Sequence, residues 1–172
     1  MAQEAISFLN SKISENNALA EPRKLAVVFD VDETSLSNYE ILLSLDFAFV
    51  ASLLKPELEK AKDPAVRPTL KLYHFARENG VAIFFITGRR ETLRAATEKN
   101  LKKVGYTEWI KLFMKSNGYD KDSVIPYKRG SRKSIEDGGY FIIVNIGDQW
   151  SDLAGGYSER TFKLPNPYYY VP

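Results

Sequence analysis

The chain has 172 residues, of which 44% are hydrophobic and 27% charged, and its formal net charge at pH 7 is +2. This length suits one domain with a buried core. Mean hydropathy is −0.30, and no apolar run approaches the roughly 18 residues of a membrane span, so no membrane partner is expected. The small net charge argues against a nucleic-acid polymer as partner and mildly favours an anionic substrate. The sequence makes no prediction of oligomeric state.

Cysteine is absent, and His74 is the single histidine. Disulfides, thiolate nucleophiles and cysteine-based zinc sites are therefore excluded. A histidine-rich metal site and a Ser-His-Asp triad are both disfavoured, and His74 is interpreted as structural. Any catalysis must use carboxylates, lysine, threonine or a hard metal ion.

The first half of the chain predicts two strands separated by helices. Residues 1–5 lack the features of a signal peptide and read as an initiator methionine before a mature chain. Residues 3–20 have apolar positions at helical spacing and predict a helix. The apolar run 25–30 predicts a strand buried on both faces. Residues 37–62 are helical and rich in aromatics, and a helix is predicted over 68–79 with Pro68 in its first turn.

The second half alternates in the same way. A second buried strand is predicted over 81–86 and a helix over 91–104. A weaker strand at 109–114, a short helix at 131–137 and strands at 140–146 and 160–164 follow, before a proline-rich extended tail. This alternation predicts an α/β fold: a Rossmann-like, mostly parallel sheet with helices on both faces. Residues 1–172 are expected to form one domain, with 39–66 as a small helical insertion after the first strand.

Polar residues follow the predicted buried strands, where ligands bind in such sheets. Asp30 and Asp32 end the first strand, and two close carboxylates require a cation or a shared proton between them. Asp148 and Asp152 follow the fourth strand and suit a hard, oxygen-liganded ion such as Mg²⁺. Alternatively, Asp30 and Asp32 form a surface acidic turn, and Asp148 and Asp152 are first-turn acids of a short helix.

Two further candidates are weaker taken alone. Thr87 and Gly88 follow the second strand, where a hydroxyl and a glycine N–H can receive a phosphate oxygen. Taken alone, Thr87 is better interpreted as a turn residue that caps the helix beginning near Glu91. Lys128 lies in the polar stretch 127–133, which on spacing alone reads as a solvated basic loop. The order of these signals along the chain is more specific than any one of them.

FDVDET at 29–34, ITGR at 86–89, a following lysine and GDQWSD at 147–152 resemble the four-motif signature of the haloacid dehalogenase superfamily. The chain is most similar to its acid phosphatase branch, which includes class B bacterial enzymes and plant vegetative storage proteins. NIGDQWSD at 145–152 and FKLPNPY at 162–168 are closely similar to the plant members. The resemblance covers nearly the whole chain and is weaker in the first helix and in 39–66.

The resemblance implies a Mg²⁺-dependent phosphatase that acts on small phosphomonoesters through an aspartyl-phosphate. Asp30 would be the nucleophile and Asp32 the general acid and base. Thr87, Gly88 and Lys128 would hold the phosphoryl oxygens. The nearby Lys133 and Arg129 leave the identity of this basic residue open.

The resemblance also implies the metal site and the compartment. Asp148, the Asp30 carboxylate and the backbone carbonyl of Asp32 would bind Mg²⁺, with Asp152 as a ligand or as support for one. Relatives are often exported, so a periplasmic or secreted protein is expected. Independently of the resemblance, the insertion 39–66 lies between the first two motifs and must leave and re-enter the sheet beside Asp30. Tyr39, Phe47 or Phe49 are therefore expected to line the leaving-group side of the site, unless these aromatics simply pack the insertion onto the sheet.

Three other functions fit the same scaffold. A storage or binding protein would retain the residues without meaningful turnover. A phosphorylated receiver domain also uses strand-end acids, but its phosphorylated aspartate would lie alone on a later strand, and the pair Asp148 and Asp152 would have no purpose. A phosphomutase or dehalogenase stays open, although Asp32 argues against a dehalogenase because halide leaves without a proton.

Overall fold

The computed structural model describes residues 1–48 and 50–172. Five strands form one sheet in the order β3-β2-β1-β4-β5, and every neighbouring pair is parallel. The predicted α/β class is therefore confirmed. The strands are β1 Lys24–Phe29, β2 Ala82–Arg90, β3 Lys111–Lys115, β4 Tyr140–Gly147 and β5 Arg160–Lys163.

Helices connect these strands, and none in the described part of the chain is long and apolar enough to cross a bilayer. A short 3₁₀ turn, Glu91–Leu93, precedes α5. The α-helices are α1 Ala2–Asn17, α2 Tyr39–Ser44, α3 Ala51–Glu59, α4 Arg67–Glu78, α5 Arg94–Lys103, α6 Ile125–Asp137 and α7 Trp150–Leu153.

Both faces of the sheet are covered, which explains why its central strands are continuous apolar runs. Val27 and Phe29 of β1 point to one face and join the main core, where Leu72 of α4 also packs. Val28 points to the opposite face, where Ile135 of α6 packs on it. The helices thus cover both faces of the sheet, and its strand ends are left for ligands.

Helix α6 begins six residues before its predicted start at 131, so the predicted boundary was wrong. Pro126 is compatible with a first turn, but Gly130 weakens the helical signal. Lys128 and Arg132 are one turn apart on the buried side of α6. Lys128 is therefore a buried helical residue and not part of a solvated loop. Carboxylates inside the protein, and not water, neutralise its charge.

Between β1 and β2 the described chain forms α2, α3 and α4. The interpretation of 39–66 as an insertion in a single domain of residues 1–172 stays a prediction.

The direction of the chain across the sheet reverses beside β1. The chain proceeds from β1 to β2 and β3 on one side and then crosses to β4 on the other. In open parallel sheets such a switch point leaves a crevice beyond the carboxyl ends of the two central strands. Here the residues that follow those strands are Asp30 and Asp148.

Two glycines allow a stability test at this crevice. A methyl group on Gly147 would lie 2.8 Å from Cγ of Asp152, closer than carbon atoms pack, whereas one on Gly130 meets no atom within 4 Å. We expect Gly147→Ala to lower the free energy of unfolding by about 1–3 kcal/mol. Gly130 lies on the exposed surface of α6, so Gly130→Ala should raise the free energy of unfolding by about 0.5–1 kcal/mol. Urea denaturation measures both, and equal effects of the same sign would contradict the close approach at Gly147.

Candidate active site

Three buried carboxylates converge at the switch point. Asp30, Asp148 and Asp152 each offer an oxygen within 4.8 Å of the others. They are only 4%, 2% and 4% exposed, respectively. Lys128 Nζ lies 2.7 Å from Asp30 Oδ1 and also forms a short ion pair with Asp152. The strand ends and α6 thus bring together four residues that the sequence analysis selected.

The cluster holds more negative than positive charge. Burial and the neighbouring Asp152 raise the pKa of Asp30 well above its usual value. The same two causes raise the pKa of Asp148. Burial opposes the charge on Lys128, but Asp152 and Asp30 outweigh it and raise its pKa. Three carboxylates with one ammonium form a donor set that fits an additional hard cation.

The carboxylate of Asp148 is fixed by three donors. The Thr34 hydroxyl donates to its Oδ1 at 3.1 Å. The side-chain amides of Gln149 and Asn166 both donate to its Oδ2 at 2.7 Å. Because a carboxylate has about four lone-pair positions, one remains, on Oδ1. Asp148 is thus oriented to give a cation a single oxygen.

Asn166 belongs to the segment 165–172, which was predicted to be extended and contains no helix or strand. Gln149 Oε1 accepts a hydrogen bond from Val171 N at 3.1 Å, and the Ser151 hydroxyl donates to Val171 O at 2.8 Å. Tyr169 and Val171 line the site cavity. The segment therefore closes one side of the site, and the sequence analysis assigned it no functional residue.

Asp32 lines the same cavity but does not belong to the group of three carboxylates. Its carboxylate accepts hydrogen bonds from Arg89 Nε at 2.9 Å, Asn38 Nδ2 at 2.7 Å and Thr87 Oγ1 at 3.2 Å. Burial disfavours its ionisation, but Arg89 outweighs this and lowers the pKa of Asp32. Asp30 and Asp32 thus lie in different electrostatic environments.

Thr87 and Gly88 lie where β2 passes the site. Thr87 is fully buried, and its hydroxyl accepts a hydrogen bond from Arg89 N at 3.1 Å. Gly88 lines the cavity, and a methyl group there would meet no atom within 4 Å. Gly88 therefore leaves open space beside the backbone of β2.

Sequence reasoning gave no role to Arg89, Asp63 or Asn38. Arg89 NH2 lies 2.8 Å from Asp32 Oδ1 and 3.2 Å from Asp63 Oδ2. It also donates to Asn38 Oδ1 at 3.2 Å. Burial raises the pKa of Asp63 to about 6. Arg89 lies near the end of β2 in ITGR, which was a usable signal, whereas Asp63 lies between helices with no motif around it.

The cavity has a volume of about 350 Å³, and the polar residues described above form part of its lining. Leu42 of α2 and Leu54 and Leu58 of α3 form part of its apolar wall. Tyr39 and Phe47 are not among its lining residues and instead pack on Tyr168, at ring-centre distances of 5.6 and 5.7 Å. Phe49, the third predicted aromatic, lies outside the described residues.

The fold and site define a Rossmann-like α/β protein with carboxylates and a lysine at the switch point of its parallel sheet. Comparison with known families identifies the family. The family described as "HAD superfamily, subfamily IIIB (Acid phosphatase)" matches residues 1–172. The chain belongs to this family, as the sequence motifs indicated.

Curated relatives come from plants. The chain is 40% identical to the stem 28 kDa glycoprotein of Glycine max, covering 84% of this chain and 59% of that protein. It is 37% identical to acid phosphatase 1 of Solanum lycopersicum, covering 84% and 58%. Vegetative storage protein 1 of Arabidopsis thaliana is 39% identical, with 84% and 55% covered. The chain thus spans less than two thirds of each of these relatives.

A solved structure supports the fold. The class C acid phosphatase from Bacillus anthracis superposes with a TM-score of 0.75 at 21% identity, covering 98% of this chain and 78% of that one.

The Arg89 contacts generate a stability prediction. Arg89→Met leaves Asp32 and Asp63 without their buried cation, and we expect it to cost about 3–5 kcal/mol of unfolding free energy. Adding Asp63→Asn should recover part of this loss, because one unpaired carboxylate is removed. Arg94→Met is the matched control: its ion pairs are partly exposed and should cost under about 1 kcal/mol. Urea denaturation would contradict the interpretation if Arg89→Met and Arg94→Met were equally mild.

Proposed function

We propose that the chain is a phosphomonoester hydrolase of the acid phosphatase type. The observation that carries this proposal is the buried ammonium of Lys128 between Asp30 and Asp152, beside Asp148. A phosphate ester repels an anionic nucleophile, so attack by a carboxylate requires cations around the phosphoryl oxygens. Membership of the acid phosphatase family supports the same reaction.

In the proposed reaction Asp30 attacks and Asp32 transfers protons. An Asp30 carboxylate oxygen bonds to phosphorus as the ester P–O bond breaks, and Asp32 gives its proton to the leaving alcohol. Asp32 then takes a proton from a water molecule that attacks the aspartyl-phosphate, which releases inorganic phosphate and restores Asp30. The two aspartates have different partners, since Lys128 contacts Asp30 and Arg89 contacts Asp32. Without a ligand Asp30 is biased toward its protonated form and Asp32 toward its ionised form. The proposed division therefore requires the bound cation to favour the ionised form of Asp30 and the negative charge of the phosphate to raise the pKa of Asp32.

Lys128, Thr87 and Gly88 are the proposed phosphoryl-binding groups. Lys128 Nζ would exchange part of its carboxylate contacts for a phosphoryl oxygen. Gly88 offers open space beside a backbone N–H, and the neighbouring Thr87 hydroxyl donates to Asp32 Oδ2 at 3.2 Å. Lys133 is less suitable than Lys128, since its exposed ammonium pairs with Asp137.

We further propose Mg²⁺ as the cofactor. Asp30, Asp148 and Asp152 would hold it, together with the backbone carbonyl of Asp32, because all are hard oxygen donors. When bound, Mg²⁺ supplies positive charge that polarises the phosphoryl group. The excess of carboxylates over lysine in the cluster supports a cation there.

A storage role is the second candidate function. It is favoured by the relatives named vegetative storage proteins, at 39% and 36% identity. Hydrolysis of a generic aryl phosphate in the presence of Mg²⁺ distinguishes the two functions, since a storage protein without turnover would release no phosphate.

Export to a secretory compartment or the periplasm also stays a proposal. It is supported by relatives that are named stem glycoproteins, since glycosylation at asparagine is typical of secreted proteins.

Substitution of each aspartate in turn tests the mechanism. Asp30→Asn should give no covalent phosphorylation and no turnover, because the attacking carboxylate is lost. Asp32→Asn should lower turnover by about 10²–10⁴-fold and, with an activated aryl phosphate, accumulate one phosphoryl group. Intact-mass measurement of rapidly quenched protein checks both. Near-normal turnover of Asp30→Asn, or phosphate on another residue, would show that the nucleophile is wrongly assigned.

Magnesium dependence is tested by activity and, independently, by metal binding without substrate. Chelation should abolish activity and added Mg²⁺ restore it. Asn166→Ala removes one amide donor from Asp148 and should weaken Mg²⁺ binding by about 10–100-fold, as measured by calorimetry without substrate. Asn79→Ala is the control, because that exposed amide bonds only within α4. Unchanged Mg²⁺ affinity in Asn166→Ala, with normal melting temperature, would remove Asn166 from the site.

A further inference from the structure

Two cations stand at the ends of neighbouring strands beside the site. Arg90 ends β2 and Lys115 ends β3, and their Cα atoms are partners in the sheet register. Both residues line the cavity that contains Asp30 and Lys128. The two side chains therefore face the same space as the proposed nucleophile, from the side of the sheet opposite β4.

These two cations differ from the others in the cavity by their partners. Arg89 and Lys128 are held by buried carboxylates, and Lys55 lies 3.8 Å from Glu59. Among the described residues, neither Arg90 nor Lys115 forms an ion pair within 4.0 Å. Their charges are not required to neutralise an acid of the protein itself.

Arg90 is nevertheless held in a defined position. Its guanidinium donates to the backbone carbonyls of Ser116 at 3.2 Å, Asn117 at short distance and Tyr119 at 3.1 Å. Three of its five N–H groups are used in this way, which leaves two donors for a ligand. Such a fork suits the planar pair of oxygens on a phosphate.

Lys115 is held near Arg90 and is partly withdrawn from water. Its Nζ lies 5.4 Å from the ring centre of Tyr119. Burial, Arg90 and Lys128 together lower the pKa of Lys115, so its neighbours already repel its charge. An anion between these cations would relieve that repulsion.

We propose that Arg90 and Lys115 bind a second phosphate of the substrate while the phosphate to be hydrolysed lies at Asp30. This inference rests on the proposed phosphatase function and narrows its substrate class to organic bisphosphates. The leucines of α3, Leu54 and Leu58, line the same cavity and would contact the apolar part that joins the two phosphates.

Matched substrates test the second phosphate-binding site. Alkanediol bisphosphates of increasing length are compared with the alkyl monophosphate of the same length, with Mg²⁺ present. Two equivalent phosphates alone would double kcat/KM. Charge-assisted hydrogen bonds are worth about 1.5–3 kcal/mol, so the best bisphosphate should exceed its monophosphate by about tenfold or more.

Variants assign the preference to these residues. In Arg90→Gln/Lys115→Gln the ratio of bisphosphate to monophosphate kcat/KM should fall toward the statistical factor of two. Lys111→Gln is the single-charge control, because it removes one positive charge from the exposed opposite end of β3 and should leave the ratio as in the parent protein. A parent ratio near two, or equal falls in Lys111→Gln and the double variant, would overturn the inference.

The outcomes also separate this inference from the proposed function. Absence of turnover for every monophosphate and aryl phosphate would overturn the phosphatase proposal itself. Turnover of monophosphates without any preference for bisphosphates would overturn only the second phosphate-binding site.

Discussion

The buried ammonium of Lys128 lies between the carboxylates of Asp30 and Asp152, and the rest of the site depends on this contact. Removing charges from water is costly, and the attraction between them compensates only when the geometry is held closely. Asp148 adds a third carboxylate, so the cluster has more carboxylates than cations. Burial raises the pKa of Asp30, and the neighbouring carboxylates raise it further. The same crowding of carboxylates supports the proposed metal ion.

The fold supplies the rigidity that this cluster requires. Parallel pairing fixes the ends of β1 and β4 side by side, and Asp30 N bonds to Ile146 O at 3.0 Å across them. Arg132, on the same helix as Lys128, donates to the carbonyls of Asp152 and Ala154. Helix α6 is thereby joined to the segment after β4, and each cluster member is held from a different element.

Sequence reasoning identified the strands and the site residues that short segments of the chain encode. Apolar runs that end in Asp30, Thr87 and Asp148 reveal both the strands and their functional ends, because an apolar strand and the polar residues at its end differ sharply in polarity. Lys128 was selected through its place in the motif order, whereas its own surroundings indicated a solvated loop. The start of α6 was misjudged for the same reason, since charged residues that pair inside the protein look solvated in sequence.

The sequence by itself determined the fold class, the family and most residues of the candidate site, because strand periodicity and the motifs are encoded in short segments. Only the tertiary structure decided which residues meet: Arg89 with Asp63, Asn166 with Asp148, and Arg90 beside Lys115. These partners lie between about 18 and 26 residues apart along the chain. No local pattern encodes such contacts, since they arise from the packing of helices and strands around the switch point.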